Sequence, residues 1–170
     1  MKHPLAAIKV KRLMRHVFPV IETVKKEKKL DEYENGGKLD AFRHIFSMAF
    51  LAQKISSEKL ISLGIAHEKG NREQFEKGQT ENGELPDSVS CEMDLRNNSI
   101  GIGIGKKYLH LGIDSLKNLI IGEIILGNAW IILRNDTGKY IDCSKNAILG
   151  EERKKYWNVP KCLVNSGKNK

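Results

Sequence analysis

The stretch from Lys38 to about Ile55 constrains this chain more than any other, because Ser47 is the only polar residue between Ile45 and Ala52. A helix that is apolar all round belongs in a core, so the pattern predicts a central, buried helix. That helix opens on Asp40, Arg43 and His44. Positions i, i+3 and i+4 share a helical face, so these three side chains project together beside the most apolar surface in the chain. A charged face there is costly unless it is paired. Read alone, the segment is a helix start with Asp40 favoured by the macrodipole and a local Asp–Arg pair.

The remaining elements follow from periodicity and punctuation. Residues 4–27 carry Val10, Met14, Val17, Ile21 and Val24 at helical spacing among Lys and Arg, which predicts a basic amphipathic helix kinked or split at Pro19. Residues 30–37 form a polar connection ending in Gly36 and Gly37. Ser56 or Ser57 can cap a helix running to Glu68, with Glu58 in its first turn and Gly70 as a stop. Residues 71–87 hold Gly78, Asn82, Gly83 and Pro86 and predict a loop. Asp87 or Ser88 then caps a helix from about Val89 to Ile100, after which the alternating glycines Gly101, Gly103 and Gly105 weaken any regular structure. A further apolar helix covers 114–126. Ala129–Leu133 and Tyr140–Cys143 flank the turn Asn135-Asp-Thr-Gly138 and predict a β-hairpin. No repeat or low-complexity block divides the chain. The fold class is mainly α, one compact helical domain over residues 1–170 with a small C-terminal β-hairpin and a motif-bearing core at about 38–143.

Two further segments put polar residues where the pattern calls for apolar ones. His67 and Glu68 end an apolar helix, but adjacent residues diverge by about 100°. Asn71 stands where a second His would complete H-E-x-x-H, so the zinc-protease motif fails. Asp94, Asn97 and Asn98 again share one helical face. Asn is a poor residue for a helix interior, so the pair reads either as buried amides with specific partners or as fraying toward Gly101. Convergence of these faces would give a buried network of carboxylates, imidazoles, a guanidinium and amides, the kind that concentrates at functional sites.

Charge and cysteine content narrow the surroundings. Lys and Arg outnumber Asp and Glu by 29 to 21 in 170 residues. A positive balance favours an anionic partner, yet the excess is concentrated in Lys25, Lys26, Lys28 and Lys29 and in Lys154, Lys155, Lys161, Lys168 and Lys170. Such a basic N-terminal helix end and basic C-terminal tail read as solvated. Nucleic acid is an unfavoured partner, since no aromatic platform is interleaved with the charge. Cys91, Cys143 and Cys162 are an odd count without C-x-x-C spacing, a poor disulfide framework and a poor zinc motif, leaning to a reducing compartment. Cys91 falls in a helix and reads as a small buried hydrophobe. No apolar run reaches the roughly 20 residues of a transmembrane segment. Lys9, Lys11, Arg12 and Arg15 break up any signal-peptide core. The chain reads as cytoplasmic as made, with any exit by a signal-independent route.

The runs D-A-F-R-H at Asp40–His44, A-H-E at Ala66–Glu68 and M-D-L-x-N-N-x-x-G at Met93–Gly101 resemble a poorly characterised bacterial domain family. Its members occur as stand-alone proteins and as C-terminal parts of larger secreted or polymorphic-toxin-type proteins. The resemblance covers roughly residues 38–143, with Ser47 standing where the pattern carries Trp. It implies a helical domain with a catalytic or ligand-binding polar centre. Its toxin-like company implies the cell envelope as target, with a cognate immunity protein as a partner.

The residues support two expectations. In the first, the protein is a hydrolase acting on a cell-envelope substrate. Glu68 or Asp94 is the general base, its pKa raised by an apolar surround, and His44 or His67 is the paired acid or orients the base. Arg43 holds an anionic group or developing oxyanion, while Asp40, Asn97 and Asn98 position substrate. A metal-assisted form uses His44, His67 and Asp94 as ligands to a divalent ion, and metal-free acid–base chemistry stands beside it. Cell-wall glycan or peptide, phospholipid and nucleic acid are the substrate classes considered. In the second, the chain is a non-enzymatic binding or accessory module whose polar network fixes helix packing.

Overall fold

The structure, a computed structural model, describes residues 4–80, 83–150 and 155–168, with side chains from residue 8 onward. The apolar stretch forms the central helix α2 (Lys38–Ala52), with Phe42, Ile45, Phe46 and Ala49 fully buried. Its first turn is capped from a distance, since the Asp31 carboxylate accepts the backbone N–H groups of Lys38 at 2.7 Å and Leu39 at 3.2 Å. This meets donors that Gly37, the N-cap residue, cannot satisfy with a side chain. Around α2 stand α1 (Pro4–Glu27), α3 (Ser57–Glu76), α4 (Ser88–Lys107) and α5 (Ile113–Ile125). Val17, Ile21 and Val24 of α1 and Leu116, Ile120 and Ile124 of α5 close the main core over α2. No helix among the described residues is long and apolar enough to cross a membrane.

Three boundaries differ from expectation. Helix α1 runs unbroken through Pro19. That residue is exposed, so the carbonyl it leaves without a donor can turn to water. Helix α3 passes Gly70 and reaches Glu76, carried by the Arg72–Glu76 ion pair at 2.8 Å and by Phe75 against the Trp157 ring. Helix α4 continues through the glycines to Lys107. A Cβ at Gly101 would strike the Ile45 carbonyl oxygen and one at Gly105 that of Ala49, whereas Gly103 meets nothing within 4 Å. Gly101 and Gly105 therefore serve close approach of α4 to α2. Asp87 is the α4 N-cap, accepting from the N–H groups of Val89 and Ser90.

The small C-terminal β element is present, but its ladder is not the expected one. The turn at 135–138 closes through Gly138 N–H to Asn135 O, and Arg134 bridges Tyr140. The antiparallel partner of β1 (Trp130–Ile132) is β2 (Leu163–Asn165), with Ile131 opposite Val164. The tail is drawn back by Leu133 N–H to Cys162 O and by a Cys143–Cys162 disulfide, which overturns the reading of the cysteines as unpaired. Lys161, expected in a solvated tail, is buried and paired with Asp87 and Ser90. Lys155 and Lys168 are exposed, and Asn82, Lys154 and Lys170 lie outside the described residues. Lys25, Lys28 and Lys29 form surface ion pairs with Glu34, Glu32 and Glu27.

The glycine spacing and the disulfide each have a measurable effect on stability. Gly101→Ala should lower stability by roughly 1–3 kcal/mol as a clash against fixed backbone, while Gly103→Ala should raise it by about 0.5–1 kcal/mol through helix propensity. Urea unfolding measures both, and equal effects would remove the close-approach argument. The disulfide closes a loop with a sequence separation of 19, so replacing both cysteines by Ser should cost about 3 kcal/mol. The far-UV helical signal should be unchanged in that variant.

Candidate functional site

The glycine contact between α2 and α4 places His44 of α2 opposite Asp94 and Asn98 of α4, one turn before Gly101. His44 Nδ1 lies 3.2 Å from Asn98 Oδ1. His44 Nε2 lies 3.1 Å from Asp94 Oδ1 and 3.5 Å from Asp40 Oδ1. Arg43 Nη2 donates to Asp40 Oδ1 at 2.7 Å and stands 3.2 Å from His44 Nε2. The Gly36 N–H donates to Asp40 Oδ2 at 2.7 Å. Gly36 has φ of +72°, a region open to glycine at little cost. Asp40, Asp94 and Asn98 are all buried, so this is a polar layer between apolar helices.

Burial and charge shift this layer in opposite directions. For His44, burial alone would lower the pKa, but the carboxylates of Asp94 and Asp40 outweigh it and raise the value to about 9. Burial pushes Asp94 up to about 8, helped by the neighbouring charges of Asp40 and Glu68 and opposed by His44 and Arg43. Asp40 is held below the usual carboxylate range: burial would raise it, but His44, Arg43 and the Gly36 N–H favour its charged form. The His44–Asp94 pair thus holds more protons near neutrality than either group would in water.

Glu68 of α3 is buried behind this layer. Its Oε2 accepts from Asn71 Nδ2 at 3.0 Å, while Oε1 makes no hydrogen bond. Burial raises its pKa, only partly offset by Cys91, His67 and His44. Asp94 Oδ1 is likewise buried and makes no hydrogen bond, its approach to His44 being out of line. Burial, with the charge of Glu68, pushes the Cys91 thiol far up, so Cys91 is no thiolate nucleophile at neutral pH.

The layer separates two spaces. On one side is a polar recess of about 30 Å³, lined by Asp40, Arg43, Asn71, Glu84, Cys91 and Asp94, room for roughly two waters. On the other is a groove of about 590 Å³ between α1, α2 and α3. Arg43 borders both.

Of the residues singled out in the sequence, Asp40, Arg43, His44, Asp94 and Asn98 come together, with Glu68 beside them. His67 is exposed and lies on the groove wall. Asn97 points elsewhere: its Nδ2 donates to Trp130 O and its Oδ1 accepts from Trp130 N–H, both at 2.9 Å, clamping β1 to α4. The metal-ligand set read from sequence was His44, His67 and Asp94. Among the described residues the cluster with donor atoms mutually within 4.8 Å is Asp40, His44 and Asp94, so Asp40 takes the place of His67. A helical wheel alone cannot decide between them, because it does not show which way α3 is rolled. Asn71 is a site residue that the sequence reading misses, its one signal being a spacing of three residues from Glu68 along α3. Cys91, one helical turn before Asp94, is placed by that spacing where it can approach the site, and the structure puts it there.

Residues 1–126 match a family described as "Domain of unknown function (DUF6973)", and the chain belongs to that family. No curated protein and no solved structure matches the chain.

A pH dependence of stability follows from the pair. Both pKa values are raised in the fold, so their contribution is fully present below the unfolded values. It is lost as pH rises through about 8 for Asp94 and about 9 for His44. The melting temperature, measured in a chelator, should therefore fall by on the order of 5 °C between the unfolded His pKa and pH 9. The fall should be reduced in His44→Gln; an unchanged slope there would assign the titration to other groups.

Proposed function

We propose that this family member is an acid–base hydrolase of the toxin or effector type, acting on a component of the cell envelope. The observation that carries the reading is the buried layer in which Asp94 Oδ1 and Glu68 Oε1 lack hydrogen bonds, with Asp94 lining a water-sized recess, while His44 and Arg43 open to the groove. A buried carboxylate oxygen left without a hydrogen bond is a costly structural element and an effective base.

In this mechanism a water held at Asp94 attacks the electrophilic centre of the scissile bond. Asp94 takes the water's proton as the new oxygen bond forms, with Glu68 raising its basicity through its charge. His44, oriented through Nδ1 by Asn98 Oδ1, gives its Nε2 proton to the leaving atom as that bond breaks. Arg43, tethered by Asp40, stabilises the developing oxyanion. The disulfide supports action outside the reducing cytoplasm, where such bonds persist.

A metal-assisted version is favoured by one specific observation, the donor set of Asp40, His44 and Asp94. These residues would hold a divalent cation, which would supply Lewis-acid polarisation of a substrate oxygen. Arg43 contacts two of the three donors and competes with any such cation. Arg43→Ala should therefore tighten binding of zinc in the metal version and abolish activity in the metal-free one.

The deciding experiment expresses the chain in a bacterial host with and without a periplasmic signal, beside His44→Ala, Asp94→Asn and Glu68→Gln. Growth arrest is expected only on periplasmic delivery. The His44 and Asp94 variants should lose activity by roughly 10²–10⁴-fold while remaining folded, with an unchanged far-UV helical signal and a lower melting temperature from loss of the buried pair. Activity of the purified protein should peak between about pH 8 and 9, where Asp94 is ionised and His44 still protonated. A folded wild type that is harmless in both compartments, with Glu68→Gln changing only stability, would leave a structural polar network and a binding module instead.

A further inference from the structure

We infer that the groove beside the polar layer binds a single-chain anionic amphiphile, hydrocarbon chain along its walls and head group at Arg43. As a substrate class this rests on the hydrolase reading; as a binding site it does not.

The walls come from three helices. Val10 and Met14 of α1 face Met48 and Leu51 of α2 and Leu63 of α3. The volume of about 590 Å³ lies within the range of ligand sites, roughly 300–1,000 Å³. Phe18 borders the groove and stays 58% exposed, an unusual position for a large aromatic unless something apolar covers it. Such walls reward hydrocarbon and offer almost no polar partner away from one end.

That end is distinctive in charge. Arg43, His44, His67 and Asn98 line that end, Lys11 and Ser47 are the other polar residues of the lining, and among the described residues no carboxylate lines the groove. Asp94 faces the recess, and Asp40 lies between the recess and a third space that shares Phe18 and Arg43 with the groove. The groove itself meets the basic members of the layer, Arg43 and His44. An anion seated at Arg43 meets complementary charge, and a neutral or cationic head does not. The same placement sets the head group beside the His44 ring, on the side where Asn98 meets its Nδ1.

Two positions regulate the width. Ser47 is a half-buried small residue on the α2 wall. A Cβ at Gly64 of α3 would stand 3.3 Å from Asn98 Nδ2, crowding the amide that meets the groove. Bulk at Ser47 should therefore block the chain without touching the layer.

The test uses the full oxidised chain and a fluorescent polyene fatty acid below its micellar concentration. Saturable binding at one probe per chain is expected, displaced both by palmitate and by a lysophospholipid with an anionic phosphoglycerol head. The relative strength of these two competitors separates a carboxylate head from a phosphate one. A neutral alcohol of equal chain length should compete roughly tenfold less well. Ser47→Trp should lose binding, and His67→Glu, at an exposed position on the groove wall that burdens no core, should weaken it roughly tenfold. Failure of the folded wild type to saturate would overturn the assignment. So would binding by Ser47→Trp and His67→Glu equal to wild type, or equal displacement by the neutral alcohol. Binding by wild type and by Asp94→Asn alike, with no fatty acid released from the lysophospholipid by wild type, supports the groove and sinks the hydrolase reading alone.

Discussion

Everything at the site depends on how near α4 can come to α2. The two glycines that face α2 lie four residues apart, and each rests against a carbonyl of the central helix. Any side chain at either position would push the helices apart. Gly101 sits within two turns of Asp94, Asn97 and Asn98, so separation there would carry Asn98 and Asp94 away from His44. The arrangement has a local cost, since each interior glycine disfavours the helix by roughly 0.5–1 kcal/mol. Burial of α2 on all sides offsets it: the helix can be wholly apolar only if its neighbours cover it closely.

That closeness explains why a charged layer survives inside an apolar core. Isolated, any of the three carboxylates would be expelled or neutralised. Here each has a different relief. Asp40 is bound by Arg43 and a backbone N–H and stays charged. Asp94 relies on His44, with which it shares protons, and Glu68 relies on Asn71, its pKa raised by burial. Three carboxylic acids that would titrate close together in water thus acquire distinct roles from their surroundings. A structural ion pair needs no such gradient, and a site that passes a proton from one group to another does.

Much of this was legible in residue order. The apolar run from Ile45 to Ala52 announced the central helix, and i, i+3, i+4 spacing placed Asp40 with His44 on one face of α2 and Asp94 with Asn98 on one face of α4. What periodicity could not carry was the roll of each helix about its axis. Asn97 and Asn98 look equivalent in sequence, yet one holds a strand and the other an imidazole. His67 falls among the expected ligands because its helix comes near them, but α3 turns Glu68 inward instead. The glycines look like weak points in residue order because their role depends on what lies opposite, a property of the partner helix. The cysteines mislead for the same reason. Pairing of Cys143 with Cys162 depends on the tail folding back, which no local pattern records.

The folded-back tail bears on the site as well. The family match ends at residue 126, and every residue of the polar layer lies before that point. The turn that feeds Asp40 is nonetheless held from beyond it. Ile132 N–H donates to Gly36 O at 2.7 Å, and Arg134 Nη2 and Tyr140 Oη both donate to Asn35 O. Gly36 in turn donates to Asp40, so the tail sets the backbone that keeps Asp40 ionised. Asp40 is the anchor of Arg43, and Arg43 is the group that borders both recess and groove. The disulfide staples this tail to itself, and the buried Lys161–Asp87 pair fastens it to the start of α4. A helical core with the three motifs intact but the tail released would keep His44 against Asn98 through the glycine contact. It would lose the fixed position of Arg43, and with it the basic end of the groove.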